Sequence, residues 1–123
     1  MSVPKIFDSE YKFCLILWEY EPVKSGKLVE LCKEKLGWSK ATTYTVIKRL
    51  SERGVVKNEN TVVTSLVSKE EAQASEVDEL VGRVFEGSLP SFVAAFTRRK
   101  KLSASEVEEI RRMIDSYEED GNG

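Results

Sequence analysis

At Gly54 the spacing of apolar residues changes from helical to strand-like, and that single change limits the folds open to the chain. Upstream, at about 100° per residue, Thr43, Val46, Ile47, Leu50 and Gly54 fall on one side of a helix. Downstream, VVKNENTVVTSL reads as two short β-branched strands, 55–57 and 61–66, around an Asn58-Glu59-Asn60 turn. So short a hairpin is not stable by itself and needs a layer of helices to lie on.

Those helices are legible before it. EYKFCLILWEY, capped by Asp8 or Ser9, is apolar around nearly its whole circumference, as a central core helix is, and Pro22 stops it. Ser25 can cap a second helix in which Leu28, Leu31, Cys32 and Leu36 form a stripe ending at Gly37. Ser39 is an N-cap candidate for the third, 39–53. Three helices and a hairpin make the order of a winged helix-turn-helix, ending near Leu66.

Three further helices follow. Ser68 with Glu71 and Ser103 with Glu106 have capping-box spacing, and Ser88 can cap the helix between them, with Pro90 tolerated in its first turn. Arg98-Arg99-Lys100-Lys101 suits that middle helix's C-terminus, and the Gly-Asn-Gly tail is expected to fray. Each of the three carries an apolar stripe: Val81, Val84 and Phe85; Leu89, Phe92, Val93 and Phe96; Val107, Ile110, Ile114 and Tyr117. One copy of so small a unit cannot enclose all of that surface, and a second copy is the economical cover. The expectation is therefore a mainly α chain with a small β-hairpin: a winged-helix DNA-binding domain, 1–66, then a three-helix dimerisation region, 67–123.

The outer face of the third helix suggests what the first domain does. Ala41, Thr42, Thr45, Lys48 and Arg49 are small, hydroxylated or basic, with Lys40 at the start and Tyr44 on the border. A helix entering a major groove needs short side chains at its closest approach, hydroxyls for bases or phosphates, and cations for the flanking backbone. The charge distribution agrees, although the whole chain has net charge −2: residues 1–66 carry +3, residues 67–123 carry −5, and residues 33–57 alone carry +5.

Other classes fit poorly. There is no histidine, and two cysteines cannot by themselves build a structural zinc site. No Gly-rich phosphate loop or activated nucleophile is visible, so neither an enzyme nor a cofactor is expected. Cys14 and Cys32 lie in apolar helical patterns and read as buried free thiols. Without a signal peptide or membrane-length apolar run, the expected location is the cytoplasm.

In order and spacing, FDSEYKFCLILW, GWSKATTYTVIKRLSERGVV, RVFEGSLPSFVAAF and LSASEVEEIRRMID resemble the penicillinase repressors, which include regulators of β-lactamase and methicillin-resistance genes. The resemblance covers nearly the whole chain. It implies a homodimeric repressor on a palindromic double-stranded operator, with Ser39, Thr42, Tyr44 and Thr45 where the family's third helix meets DNA and Lys48 and Arg49 just beyond. Two departures stand out: Tyr44 occupies a position often basic in relatives, and the wing is short, with Lys57 its only cation. The resemblance also implies a sensor protease as upstream partner. The candidate cleavage peptide is Ala95-Phe96, where the antibiotic-responsive branch has Asn-Phe. The cysteine cluster of the copper-responsive branch is absent, because no cysteine follows Cys32. Two other readings use the same fold: a protein-interaction module, or a small-molecule-sensing regulator without proteolysis.

Overall fold

The computed structural model describes residues 3–99 and 101–117. Its elements are α1 (Asp8–Tyr20), β1 (Val23–Lys24), α2 (Ser25–Leu36), α3 (Lys40–Glu52), β2 (Val56–Glu59), β3 (Val62–Ser65), α4 (Lys69–Val84), α5 (Leu89–Arg99) and α6 (Ala104–Asp115). This is the expected winged-helix order followed by three helices. Lys100 of the expected basic helix end and the tail from residue 118 lie outside the described residues. Among the described residues no helix is long and apolar enough to cross a membrane.

Two compact units are formed, Met1–Glu79 and Leu80–Gly123. The first extends past the expected boundary at residue 66, because Val67 and Ala72 join its core. Phe13 and Leu17 of α1, Leu28 of α2, Leu50 of α3 and Val56 and Val63 of the hairpin are fully buried there. Trp18 lies at the core's edge and donates its indole N–H to the Val67 carbonyl (2.9 Å), fastening the chain where it leaves the hairpin. Cys14 and Cys32 are buried free thiols. Burial pushes the Cys14 thiol up to about 12 and also raises that of Cys32, so both stay protonated and inert.

The sheet has three antiparallel strands in the order β1-β3-β2, one more than the expected hairpin. Val23 pairs with Val63 and Lys24 with Val62. The hairpin turn is also tighter than expected: Glu59 pairs with Val62, leaving Asn60 and Thr61 as a two-residue loop with φ of 53° and 66°. Both residues are left-handed, as the twist of a two-residue hairpin requires. The β-branched Thr61 is unusual there. Its carbonyl accepts the Ser25 N–H (2.8 Å), which ties the turn to the start of α2. Ser25 is thus the first, buried residue of α2, with Lys24 at the N-cap position expected for Ser25. Glu21, just past α1, accepts both the N–H and the hydroxyl of Ser65 (2.7 and 2.9 Å) and pins the hairpin's other end.

α1 begins one or two residues before the expected caps, Asp8 or Ser9, would place it, with Phe7 at the N-cap. Glu10 accounts for this: its carboxylate accepts the Phe7 N–H (2.9 Å) and also pairs with Arg53, the residue that ends α3. Arg53 additionally donates to the Lys5 carbonyl and lies over the Phe7 ring, 5.2 Å from its centroid. Burial raises the Glu10 carboxyl pKa, but the Arg53 hydrogen bond, the Phe7 N–H and the charges of Arg53 and Arg49 outweigh it. The net position is below the ordinary carboxylate value.

A depressed carboxyl contributes stability that is complete above its unfolded pKa and is lost as pH falls through the folded value. Thermal melts from neutral pH into the acid carboxylate range should therefore show a flatter acid limb for Glu10→Gln than for the parent. Arg53→Met leaves Glu10 buried and unpaired, and should cost about 3 kcal/mol at neutral pH. Identical acid limbs for parent and Glu10→Gln would remove the pair from the account.

The second unit is tied by local caps. Ser103 Oγ accepts the Glu106 N–H (3.0 Å) while the Glu106 carboxylate accepts the Ser103 N–H (2.9 Å). Ser88 Oγ accepts the Ser91 N–H (3.1 Å), as the sequence suggested. Phe85 meets Phe92 edge-on at 5.6 Å between centroids, and Phe92 stacks on Phe96 at 6.4 Å.

Candidate nucleic-acid interface

α3 is held from beneath and left open above. Thr43, Val46, Ile47 and Leu50 are buried. Thr43 turns its hydroxyl back to the Ser39 carbonyl (3.3 Å), so this one threonine of the helix belongs to the core. Lys40, Ala41, Thr42, Tyr44, Thr45, Lys48 and Arg49 are all exposed. The expected division into buried and outward hydroxyls is therefore present residue by residue.

Ser39 caps the helix by accepting the Thr42 N–H (3.1 Å), and its own hydroxyl donates to Thr42 Oγ1 (3.0 Å). That second bond occupies an acceptor site on Thr42 and leaves the Thr42 O–H available as a donor. The start of α3 thus offers a held hydroxyl beside Lys40, at the helix end whose dipole favours negative groups.

Tyr44 differs from its neighbours. Its hydroxyl lies 3.4 Å from Ser25 Oγ, so the side chain leans across toward the start of α2 and the hairpin. There it joins Ile47, Val56 and Leu66 along a shallow, open groove of about 560 Å³ between α3 and the hairpin, rimmed by Lys48, Lys57 and Asn58. Lys57 lies 3.4 Å from Glu59 on the same strand, both well exposed. An exposed pair of that kind is weak and readily exchanged for another anion. Leu66, Asn58 and Ser25 were not among the residues expected here. Leu66 reaches the groove because its N–H is held by the Val55 carbonyl (2.7 Å), a contact set by the hairpin's register.

The residues expected to pair two copies divide by exposure. Val81 is buried, and Phe85, Phe92 and Val107 are half-buried. Val84, Leu89, Val93, Phe96 and Ile110 are exposed, and Ile114 and Tyr117 are 68% and 72% exposed. No residue of α6 is buried, although its apolar positions share one side. Tyr117 lies just beyond the helix end. Ala95 and Phe96, the candidate cleavage peptide, lie inside α5.

A family model described as penicillinase repressor matches residues 6–116. The chain is 26% identical over 115 residues to the methicillin resistance regulatory protein MecI of Staphylococcus aureus, covering 90% of this chain and 94% of that one. It is 22% identical over 120 residues to the penicillinase repressor of Bacillus licheniformis, covering 94% of each. In structure it is similar to the solution structure of the B. licheniformis BlaI monomeric form in complex with the blaP half-operator. The TM-score is 0.50 at 20% identity, over 57% of this chain and 90% of that one. That last likeness is one of fold.

Proposed function

The chain belongs to the penicillinase repressor family, and from that premise we propose that it is a DNA-binding transcriptional repressor acting as a homodimer on a two-fold operator. The observation that carries the reading is the split of α3 into an anchored side and an exposed side bearing Ala41, Thr42, Thr45, Lys48 and Arg49. In a major groove the small residues permit close approach, the hydroxyls reach base edges or phosphates, and Lys48 and Arg49 meet the backbone or guanine. Relatives named as a repressor and a resistance regulator, and a protein of the same fold solved on a half-operator, support this use of the helix.

The second unit supplies the pairing. A soluble monomer rarely exposes contiguous apolar surface of the kind that Val93, Phe96, Ile110 and Ile114 present, and a second copy covers it with like residues. Two α3 helices then meet half-sites about one helical turn of 10 bp apart, or a multiple of it. Joining two weak half-sites raises effective concentration, so whatever loosens the arm releases the operator. The net charge of −5 over residues 67–123 keeps that half off the phosphates. A sensor protease acting at Ala95-Phe96 would first need α5 to open locally, because the peptide is helical.

Gel retardation of the duplex upstream of the chain's own gene tests the reading. A complex is expected at low salt, its log affinity falling with log salt by roughly 0.9 per neutralised phosphate. Absence of any complex at about 50 mM salt would overturn it.

A further inference from the structure

A hollow of about 250 Å³ lies within the first unit, between residues 3–6, Tyr11 of α1 and one side of α4. Its apolar wall comes from Pro4, Ile6 and Ala72, and Glu76 and Glu79 stand along it about one helical turn apart. A second hollow, of about 410 Å³, adjoins it: Tyr11 and Glu76 line both, and Asp8 and Lys12 complete the outer one. One of the two α4 carboxylates is already met. The Lys5 ammonium lies 3.4 Å from Glu79 Oε2 and 5.5 Å from the Phe7 ring centroid, so the chain sets its own primary amine between a carboxylate and an aromatic face. Tyr11 and Glu76 repeat that pairing with no cation in it. Neither the Tyr11 hydroxyl nor the Glu76 carboxylate has a hydrogen-bond or ion-pair partner among the described residues.

We propose that this double hollow binds a free small organic cation, a primary amine with an aliphatic body, whose ammonium meets Glu76 beside the Tyr11 ring while its carbons lie on Pro4, Ile6 and Ala72. The lining selects that class. An anion would face the carboxylates of Asp8, Glu76 and Glu79 against Lys5 and Lys12, with Lys5 already engaged. A neutral apolar molecule would cover the Glu76 carboxylate without giving it a partner. A metal ion needs a fuller set of ligands, and among the described residues no group of three His, Cys, Asp or Glu side chains could hold one. Every lining residue belongs to the first unit, so the site needs neither DNA nor a second copy. Its occupant rests on the segment whose Lys5 carbonyl accepts from Arg53 at the end of α3.

Amide signals of the isotope-labelled 123-residue chain, followed as hexylamine hydrochloride is added against matched sodium chloride, test this. The signals of Tyr11, Ser75 and Glu76 should shift and saturate, with a Kd of about 1 mM for so small a ligand. Glu76→Gln should weaken binding by about tenfold, because it removes the charge from the hydrogen bond to the ammonium. Glu70→Gln, on the same helix but outside both hollows, should leave the affinity unchanged. Both side chains are exposed, so thermal melts of the two variants should match that of the parent. Shifts that grow without saturating, or an equal loss in Glu76→Gln and Glu70→Gln, would mean screening of a general acidic surface and overturn the site. Hexanol binding as tightly as hexylamine, or full affinity in Glu76→Gln, would overturn it as well.

Discussion

Val93→Asp combined with Phe96→Asp should leave the protein monomeric at micromolar concentration and weaken its hold on a two-half-site operator by about 10³-fold. Both side chains are exposed in a single copy, at 48% and 39%, and because Phe96 gives up its stacking on Phe92, a thermal melt of the double variant accompanies the measurement. In a paired arm each would bury a carboxylate in apolar surface without a partner, which an interface does not tolerate. Sedimentation equilibrium reads the oligomer directly. Binding to an isolated half-site should be unchanged, because α3 belongs to the first unit and keeps its anchors there. An intact dimer in the double variant would contradict the proposed pairing surface.

Thr45→Ala with Arg49→Ala should weaken operator binding by about a hundredfold, the equivalent of about 3 kcal/mol shared between two contacts. Stability should change by less than about 0.5 kcal/mol, because both side chains are exposed and neither supports the core. Arg49 lends Glu10 some favourable charge, but Arg53 makes the direct contact and remains. The single variants separate the roles. A uniform loss on all sequences with a shallower salt slope assigns a residue to phosphate, and a relaxed preference at one base pair assigns it to a base edge. Unchanged affinity in the double variant would remove this face from the DNA contact.

Features set by neighbouring residues were legible in the sequence. Ser39, Ser88 and the Ser103/Glu106 and Ser68/Glu71 boxes cap the helices as read, because a cap is a bond across three positions. The buried stripe of α3 followed from helical periodicity alone. What escaped depends on distant partners. β1 is two residues long and exists through pairing with Val62 and Val63, nearly forty positions away. The start of α1 is set by Glu10, whose own place is fixed by Arg53. The hairpin turn moved because Thr61, a good strand residue by type, takes a left-handed conformation that its bond to Ser25 helps hold. Tyr44 stood on the border between the two faces of α3, and its lean toward Ser25 decides which side it serves.

Enrichment of duplexes from a random pool by the 123-residue chain asks at once whether α3 reads DNA and whether two copies read it together. The expected product is an inverted repeat with half-site centres about one helical turn of 10 bp apart, or a multiple of it. Enrichment of a single unsymmetrical motif, or of nothing, would contradict it.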